Sequence, residues 1–153
     1  MPYNAYTEKY DVVVKQLITK CLVGEPVAKL EPDMEFTTFR ALWDTGATCS
    51  AISARVVMLL GLMPVSKETV THAGGQSVVD IYSVGIVLPN NILVPLVDVF
   101  EGDFSSFDVL IGMDIISQCD FSVSNVGGKT TFSVRVPPYK ETDFAGEYED
   151  LTT

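Results

Sequence analysis

Histidine is nearly missing from this chain: His72 stands alone among 153 residues. A Ser-His-Asp relay is therefore disfavoured, and so is a metal site built on imidazoles. Basic residues are scarce too. Ten Lys and Arg face twenty Asp and Glu, and the net charge of −10 argues against nucleic acid or an anionic membrane as partner. Cysteine is limited to Cys21, Cys49 and Cys119, an odd number without CxxC spacing. They read as reduced thiols used as small core residues, not as a disulfide framework. No apolar run reaches the ~18–20 residues that a membrane span needs. The opening Met1-Pro2-Tyr3-Asn4-Ala5-Tyr6-Thr7-Glu8 lacks the basic and apolar regions of a secretory leader, so the expected location is cytoplasmic.

What is present suits a globular β protein. Hydrophobic residues make up 47% of the chain, enough for one domain with a real core. Residues 1–9 are polar and are expected to be a flexible N-terminus. Residues 10–23 are rich in β-branched side chains and end at the turn Gly24-Glu25-Pro26. A short strand is expected over 27–30, then a longer one over 34–43 running into Asp44, and another over 49–52. Ser53 reads as the N-cap of a helix over Ala54–Leu60, with Gly61 as its stop and Pro64 beyond. Segments 69–73 and 77–88 flank Ala73-Gly74-Gly75-Gln76, a hairpin with a glycine tip. After the turn Pro89-Asn90-Asn91 come a strand over 92–100, a polar loop over 101–106, and the apolar run 107–111 ending at Gly112. Asp114 is placed to cap one helical turn over 115–119, and 121–124 with 129–136 form a closing hairpin. Residues 139–153 carry five acids against Lys140 alone and are expected to be a disordered acidic tail. Many short strands with one short helix define an all-β barrel or sandwich, with the folded domain at 10–138.

The stretch Ala41-Leu42-Trp43-Asp44-Thr45-Gly46-Ala47 sets one charge in apolar company. A buried, unpaired carboxylate costs several kcal/mol unless donors surround it or it keeps its proton. Thr45 and Gly46 offer a hydroxyl and a residue free to turn tightly. Read alone, Asp44 is more readily a structural turn aspartate, as in many Asp-x-Gly turns. A second motif lies downstream, Val109-Leu110-Ile111-Gly112-Met113-Asp114, which by itself is only a buried strand.

Together, in this order and with a glycine-tipped hairpin between them, the two motifs resemble the retropepsin-like aspartic protease family. The likeness runs over residues 36–136. It implies a closed acid-protease barrel and an aspartic endopeptidase without metal or other cofactor, acting on peptide or protein substrates as a homodimer. By this resemblance Asp44 is the catalytic aspartate. Thr45, Gly46, Ala47 and Gly112 support it, and Ser50 is expected to tie to Asp114. Thr71, His72, Ala73, Gly74, Gly75, Gln76 and Ser77 form a flap over the substrate. For His72 the plainer reading is an exposed strand histidine, and for Gly74-Gly75 a plain hairpin tip.

Three positions depart from the viral pattern. Thr48 and Cys49 stand where acids often follow the turn, and Met113 stands where an arginine often follows the later glycine. The ion pair those residues make in viral members cannot form here. Since the chain holds one Asp-Thr-Gly, the resemblance implies that the second carboxyl comes from a two-fold partner. Leu42, Trp43 and Thr45 are then expected near the contact, with added pairing from 10–23 or 129–136. The alternative of the same fold is a catalytically quiet dimeric peptide-binding module, and a more distant one is an acidic β-barrel scaffold for assembly.

Overall fold

The structure, a computed structural model, describes residues 3–152. Strands β1 (Asn4–Lys9), β2 (Leu17–Gly24) and β3 (Thr37–Trp43) lead to Asp44. In β3, Phe39, Ala41 and Trp43 are buried while Thr38 and Arg40 are exposed, the period-two pattern of a strand with one face on a core. Strand β4 (Ala51–Ser53) then feeds helix α1 (Ala54–Leu60). Ser53 caps it, its Oγ accepting from the Val56 N–H at 3.4 Å, and Gly61 ends it in a left-handed conformation at φ 61°.

Strands β5 (Ser66–His72) and β6 (Gly75–Leu88) form the expected hairpin, and β7 (Ile92–Gly102) follows the Pro89–Asn91 turn. Then come β8 (Val109–Ile111), helix α2 (Met113–Ile116), β9 (Asp120–Ser124), β10 (Thr131–Val136) and helix α3 (Phe144–Thr152). Seven strands form one sheet in the order β2-β3-β8-β4-β7-β6-β5. A further pairing of Leu22–Gly24 with Gly85–Val87 joins β2 to β6 and closes six strands into a ring, leaving β5 outside. At the closure Gly24 sits opposite Gly85. A Cβ on either would lie within 2.8 Å of a backbone carbonyl oxygen, so this seam requires glycine.

A second sheet, β1-β10-β9, packs on the ring through aromatic rings. Trp43 stands 5.2 Å from Phe132 and 6.0 Å from Phe121, centroid to centroid, and its indole N–H donates to the Thr19 hydroxyl at 2.9 Å. A buried tryptophan needs such a partner for its one polar atom. Trp43 is 5% exposed. It is a core residue joining the two sheets.

The all-β barrel with its short helix is as expected; the ends and one inner segment differ. Asn4–Lys9, expected to be loose, is β1, paired residue for residue with β10. The distant partner supplies order that the polar local sequence does not announce. Residues 27–30 form no strand: Val27 N–H donates to Pro95 O at 3.0 Å and the chain then turns away through Lys29 and Glu31. The tail, expected to be disordered, contains α3, whose start is held by Asp143 Oδ1 accepting from Gly146 N–H at 3.0 Å. No residue of α3 is buried. Met1, Pro2 and Thr153, which belong to the expected loose ends, lie outside the described residues.

Candidate active site

The turn after β3 is built from backbone donors. Asp44 N–H donates to Ile111 O at 2.9 Å, continuing the parallel β3–β8 ladder by one residue. Ala47 N–H returns to Asp44 O at 3.2 Å and closes the turn. The carboxyl itself accepts from Gly46 N–H, at 2.8 Å on Oδ1. A Cβ on Gly46 would stand 3.1 Å from that oxygen, so a side chain there would crowd the carboxyl that the amide steadies. Asp44 is half-buried, while Thr45 and Gly46 are exposed. Among the described residues no Lys, Arg or His forms an ion pair with Asp44. A carboxyl held by an amide and left without a cation keeps its acid–base chemistry available.

Behind the turn sits the second motif. Gly112 is buried against it: a Cβ would meet the Cys49 carbonyl carbon at 2.8 Å and Ala47 O at 2.9 Å. Met113 N–H donates to Ala47 O at 2.7 Å and Asp114 N–H to Thr48 O at 3.2 Å. Ser50 completes the join. Its Oγ donates to Asp114 Oδ1 at 2.6 Å and accepts from Gly112 N–H at 3.0 Å, and its own N–H donates to Asp114 Oδ2 at 2.9 Å. The expected Ser50–Asp114 tie is therefore present. Asp114 is not the N-cap of the turn that follows, a position held by Gly112; it lies in the first turn of α2 and its Oδ1 accepts from Ile115 N–H at 2.9 Å. Six backbone and side-chain hydrogen bonds thus join residues 44–50 to residues 111–114, two segments more than sixty residues apart, while Thr45 and Gly46 flank Asp44 within the turn itself.

The flap residues are brought together at the free end of β5–β6. Thr71 pairs with Gln76 and His72 with Gly75, so the turn proper is Ala73-Gly74, two residues long. Gly75 has φ +120°, a value glycine adopts readily and other residues do not. The tip is exposed from Thr71 to Gln76, and Ser77 is half-buried. Two contacts here carried no sequence signal beyond residue type: His72 Nε2 lies 2.7 Å from Ser77 Oγ, and Gly74 N–H donates to His72 Nδ1 at 3.1 Å. Asp108, at the foot of β8, was also unmarked; it accepts from the Ser53 hydroxyl at 3.0 Å and from Arg55 at 2.8 Å, fixing the start of α1 beside the ring.

Among the three thiols, burial pushes Cys21 up to about 12, helped by the charge of Asp108. Burial likewise raises Cys119, to about 11, with Asp120 adding to it. Cys49 is exposed on the far side of the active-site turn. Among the described residues no three His, Cys, Asp or Glu side chains cluster as metal ligands, and no helix is long and apolar enough to cross a membrane.

An aspartate turn backed by a hydrophobic-glycine strand, in a six-stranded closed ring that extends into a glycine-tipped hairpin, is the arrangement of the retropepsin-like class of aspartic protease folds. Residues 33–118 match the family described as gag-polyprotein putative aspartyl protease, and the chain belongs to that family. Among solved structures it resembles a retropepsin-like aspartic protease from Rickettsia conorii, with a TM-score of 0.58 at 12% identity, over 88% of this chain and 96% of that one. Two viral structures are less similar. They are the simian foamy virus (mac) protease (TM-score 0.48, 14% identity, 66% of this chain and 92% of that one) and the EIAV protease complexed with the inhibitor HBY-793 (TM-score 0.49, 19% identity, 67% and 86%). No curated protein matches the sequence.

Proposed function

We propose that this protein is a homodimeric aspartic endopeptidase in which Asp44 of each subunit supplies one carboxyl of the catalytic pair. The observation that carries the reading is the Asp44 turn itself: a carboxyl steadied by Gly46 N–H, without an ion-pair partner among the described residues, and braced from behind by Gly112 and Ser50. A single chain holds one such turn, so the second must come across a two-fold axis. Two unit charges ~3 Å apart at an effective dielectric of 20 repel by roughly 5 kcal/mol, so such a pair shares one proton, as aspartic-protease dyads do.

The chemistry then follows. The ionised carboxyl takes a proton from water as the water oxygen attacks the scissile carbonyl carbon. The protonated carboxyl donates to the carbonyl oxygen, and a tetrahedral gem-diol forms. Transfer of a proton to the amide nitrogen and cleavage of the C–N bond release an amine and a carboxylic acid. Neither a cofactor nor a covalent intermediate enters. An extended peptide beneath the β5–β6 hairpin gains main-chain hydrogen bonds from Thr71 to Ser77, and hairpin closure excludes water.

For the dimer contact we favour a strand other than residues 129–136. Strand β10 is already paired on both edges, by β1 and β9. The outer edge of β1 is partly occupied, since Asn90 Nδ2 donates to Ala5 O at 2.8 Å. Strand β9 keeps a free edge, stands next to Trp43 through Phe121, and follows directly from α2 behind the active-site turn. An antiparallel β9–β9 pairing is self-complementary under two-fold symmetry and brings the two turns toward the axis. A reducing cytoplasm suits the free thiols, and the substrates are peptides or proteins there.

The deciding experiment sets wild type beside Asp44→Asn, with a peptide library across pH and sedimentation on the same samples. Turnover should fall by several orders of magnitude in the variant while the dimer and fold persist. Excess Asp44→Asn mixed into wild type should depress activity beyond dilution. Equal cleavage by both proteins would make Asp44 a structural turn residue, and binding of peptides without turnover by wild type would favour a quiet peptide-binding module. A fully active monomer would exclude the mechanism.

A further inference from the structure

The hairpin tip carries a device that the hydrolytic chemistry does not use. His72 ends β5, and its ring turns back over the two-residue turn: a Cβ on Gly74 would stand 3.2 Å from the ring Cε1 and 3.3 Å from Nδ1. Both ring nitrogens are engaged. Gly74 N–H, which can only donate, points at Nδ1 at 3.1 Å, so Nδ1 must carry a lone pair. The hydrogen is then on Nε2, which donates to Ser77 Oγ at 2.7 Å. One imidazole in one tautomer thereby ties the turn to the strand on the other side of it.

That arrangement exists only for neutral imidazole. A second proton has nowhere to go but Nδ1, where it would face the Gly74 N–H, donor against donor, and the bond that fixes the turn is lost. The Nε2–Ser77 bond survives protonation. Charged groups elsewhere on the hairpin do not intervene. Lys67 and Asp80 pair with each other at 2.6 Å near its base, and Glu68 is four residues back along β5, some ~13 Å at strand rise. Strand β5 is hydrogen-bonded to β6 alone, so no third strand brings a charge to the ring.

We propose that His72 is a proton-operated clasp on the hairpin tip, holding the Ala73-Gly74 turn in place when the imidazole is neutral and releasing it when the ring is protonated. Imidazole is the side chain suited to switch its charge under mild acidification, so a tie made through one of its nitrogens answers to pH independently of the carboxyl chemistry. Protonation of the ring loosens the hairpin tip. The effect on an enzyme is a rise in KM, through a less well ordered tip, with kcat following the carboxyl pair. This part rests on the proposed protease reading; the clasp itself does not.

The test therefore begins without substrate. In ¹⁵N-labelled full-length protein, the Gly74 amide and the His72 ring should be followed by NMR from pH 5 to 8, in wild type, His72→Asn and His72→Phe. Asn places an oxygen where it can accept from the amide two residues on, and it takes up no proton. In wild type the Gly74 amide should shift and lose exchange protection with the same midpoint as the ring. In His72→Asn it should stay protected and flat, and in His72→Phe unprotected throughout, with all three thermal midpoints alike. A Gly74 amide that ignores the ring titration, or that titrates equally in His72→Asn, overturns the clasp. With a cleavable peptide, the KM of wild type should rise several-fold more between pH 7.5 and 5 than that of His72→Asn. Identical KM profiles would remove the regulatory role. Absence of turnover together with a titrating Gly74 amide would leave the clasp standing and sink the protease reading instead.

Discussion

Ser50 and Asp114 lie sixty-four residues apart and are joined by two hydrogen bonds, the Ser50 N–H and hydroxyl both donating to the carboxylate while the hydroxyl oxygen accepts from the Gly112 amide. Ser50 is fully buried. The bond network makes the active-site turn and the strand behind it a single unit, so the turn's geometry depends on a residue six positions beyond Asp44.

Ser50→Ala should therefore destabilise the protein by about 1–3 kcal/mol, because it strips a buried amide and a carboxylate oxygen of their partner. Gly112→Ala should be at least as damaging, since its methyl would meet backbone atoms of residues 47 and 49 that cannot rotate away. Thermal melts measure the first effect. Activity per folded molecule should fall further in Gly112→Ala than in Ser50→Ala, because the methyl displaces the Asp44 turn directly.

At the hairpin, only one of the two tip glycines sits at a left-handed φ. Gly75→Val should lower kcat/KM markedly with little change in melting temperature, since the strain is confined to an exposed turn. Gly74→Ala should do less. Its Cβ would stand 3.2 Å from the His72 ring, tighter than an ordinary contact, but the neighbour is an exposed side chain that can shift by a few tenths of an ångström. Parallel kinetics and melts on both variants check the ordering.

Thiol chemistry should separate the three cysteines. At pH 8 an alkylating reagent should modify Cys49 first, because Cys21 and Cys119 are held as neutral thiols, at about 12 and about 11 respectively, and Cys21 is buried as well. Denaturant should release the other two. Mass spectrometry of peptides from native and unfolded samples distinguishes the sites. Modification of Cys21 at a rate like that of Cys49 in the native protein would contradict the burial seen here.

The tail should detach in acid. Asp120 accepts from Tyr139 N–H at 2.8 Å, from Arg135, and from Lys140 N–H at 3.1 Å, and these donors hold its carboxyl below the ordinary value of 3.8. A depressed folded-state value means that the tie is fully present above pH 3.8 and is lost as pH falls through the lower, folded value. Limited proteolysis of residues 137–143 should accelerate on acidification below that point. Asp120→Asn should show the faster cleavage already at neutral pH.

What was legible in the sequence was whatever local chemistry announces. Ser53 and Gly61 bracket α1 because a hydroxyl cap and a left-handed glycine are single-residue signals. The Asp44 turn and Gly112 were legible because each needs a particular small residue where backbones meet. Residues 27–30 misled, since Val27, Ala28 and Leu30 look strand-like, yet only Val27 finds a ladder-type partner, at Pro95. Strand β1 was invisible for the opposite reason: Asn4, Glu8 and Lys9 are poor strand formers locally, and their order comes from a partner more than 120 residues away. Helix α3 escaped notice because Phe144, Tyr148 and Leu151 are its only large apolar residues and Gly146 weakens its first turn. The His72 clasp required coordinates, since it depends on which nitrogen faces which amide.

Strand β6 belongs to two structures at once. Its first seven residues form the hairpin with β5, and the rest run on through a bulge between Val84 and Ile86 to close the ring against β2. The lid is thus not a cassette that can be exchanged at its ends. A residue deleted between 76 and 81 would preserve hydrogen bonding in the hairpin but turn every later side chain of the strand from wall to exterior. An insertion at Ala73-Gly74 would lengthen the lid and leave the wall alone. Redesign of the hairpin's length in this scaffold has one natural port of entry, the Ala73-Gly74 turn.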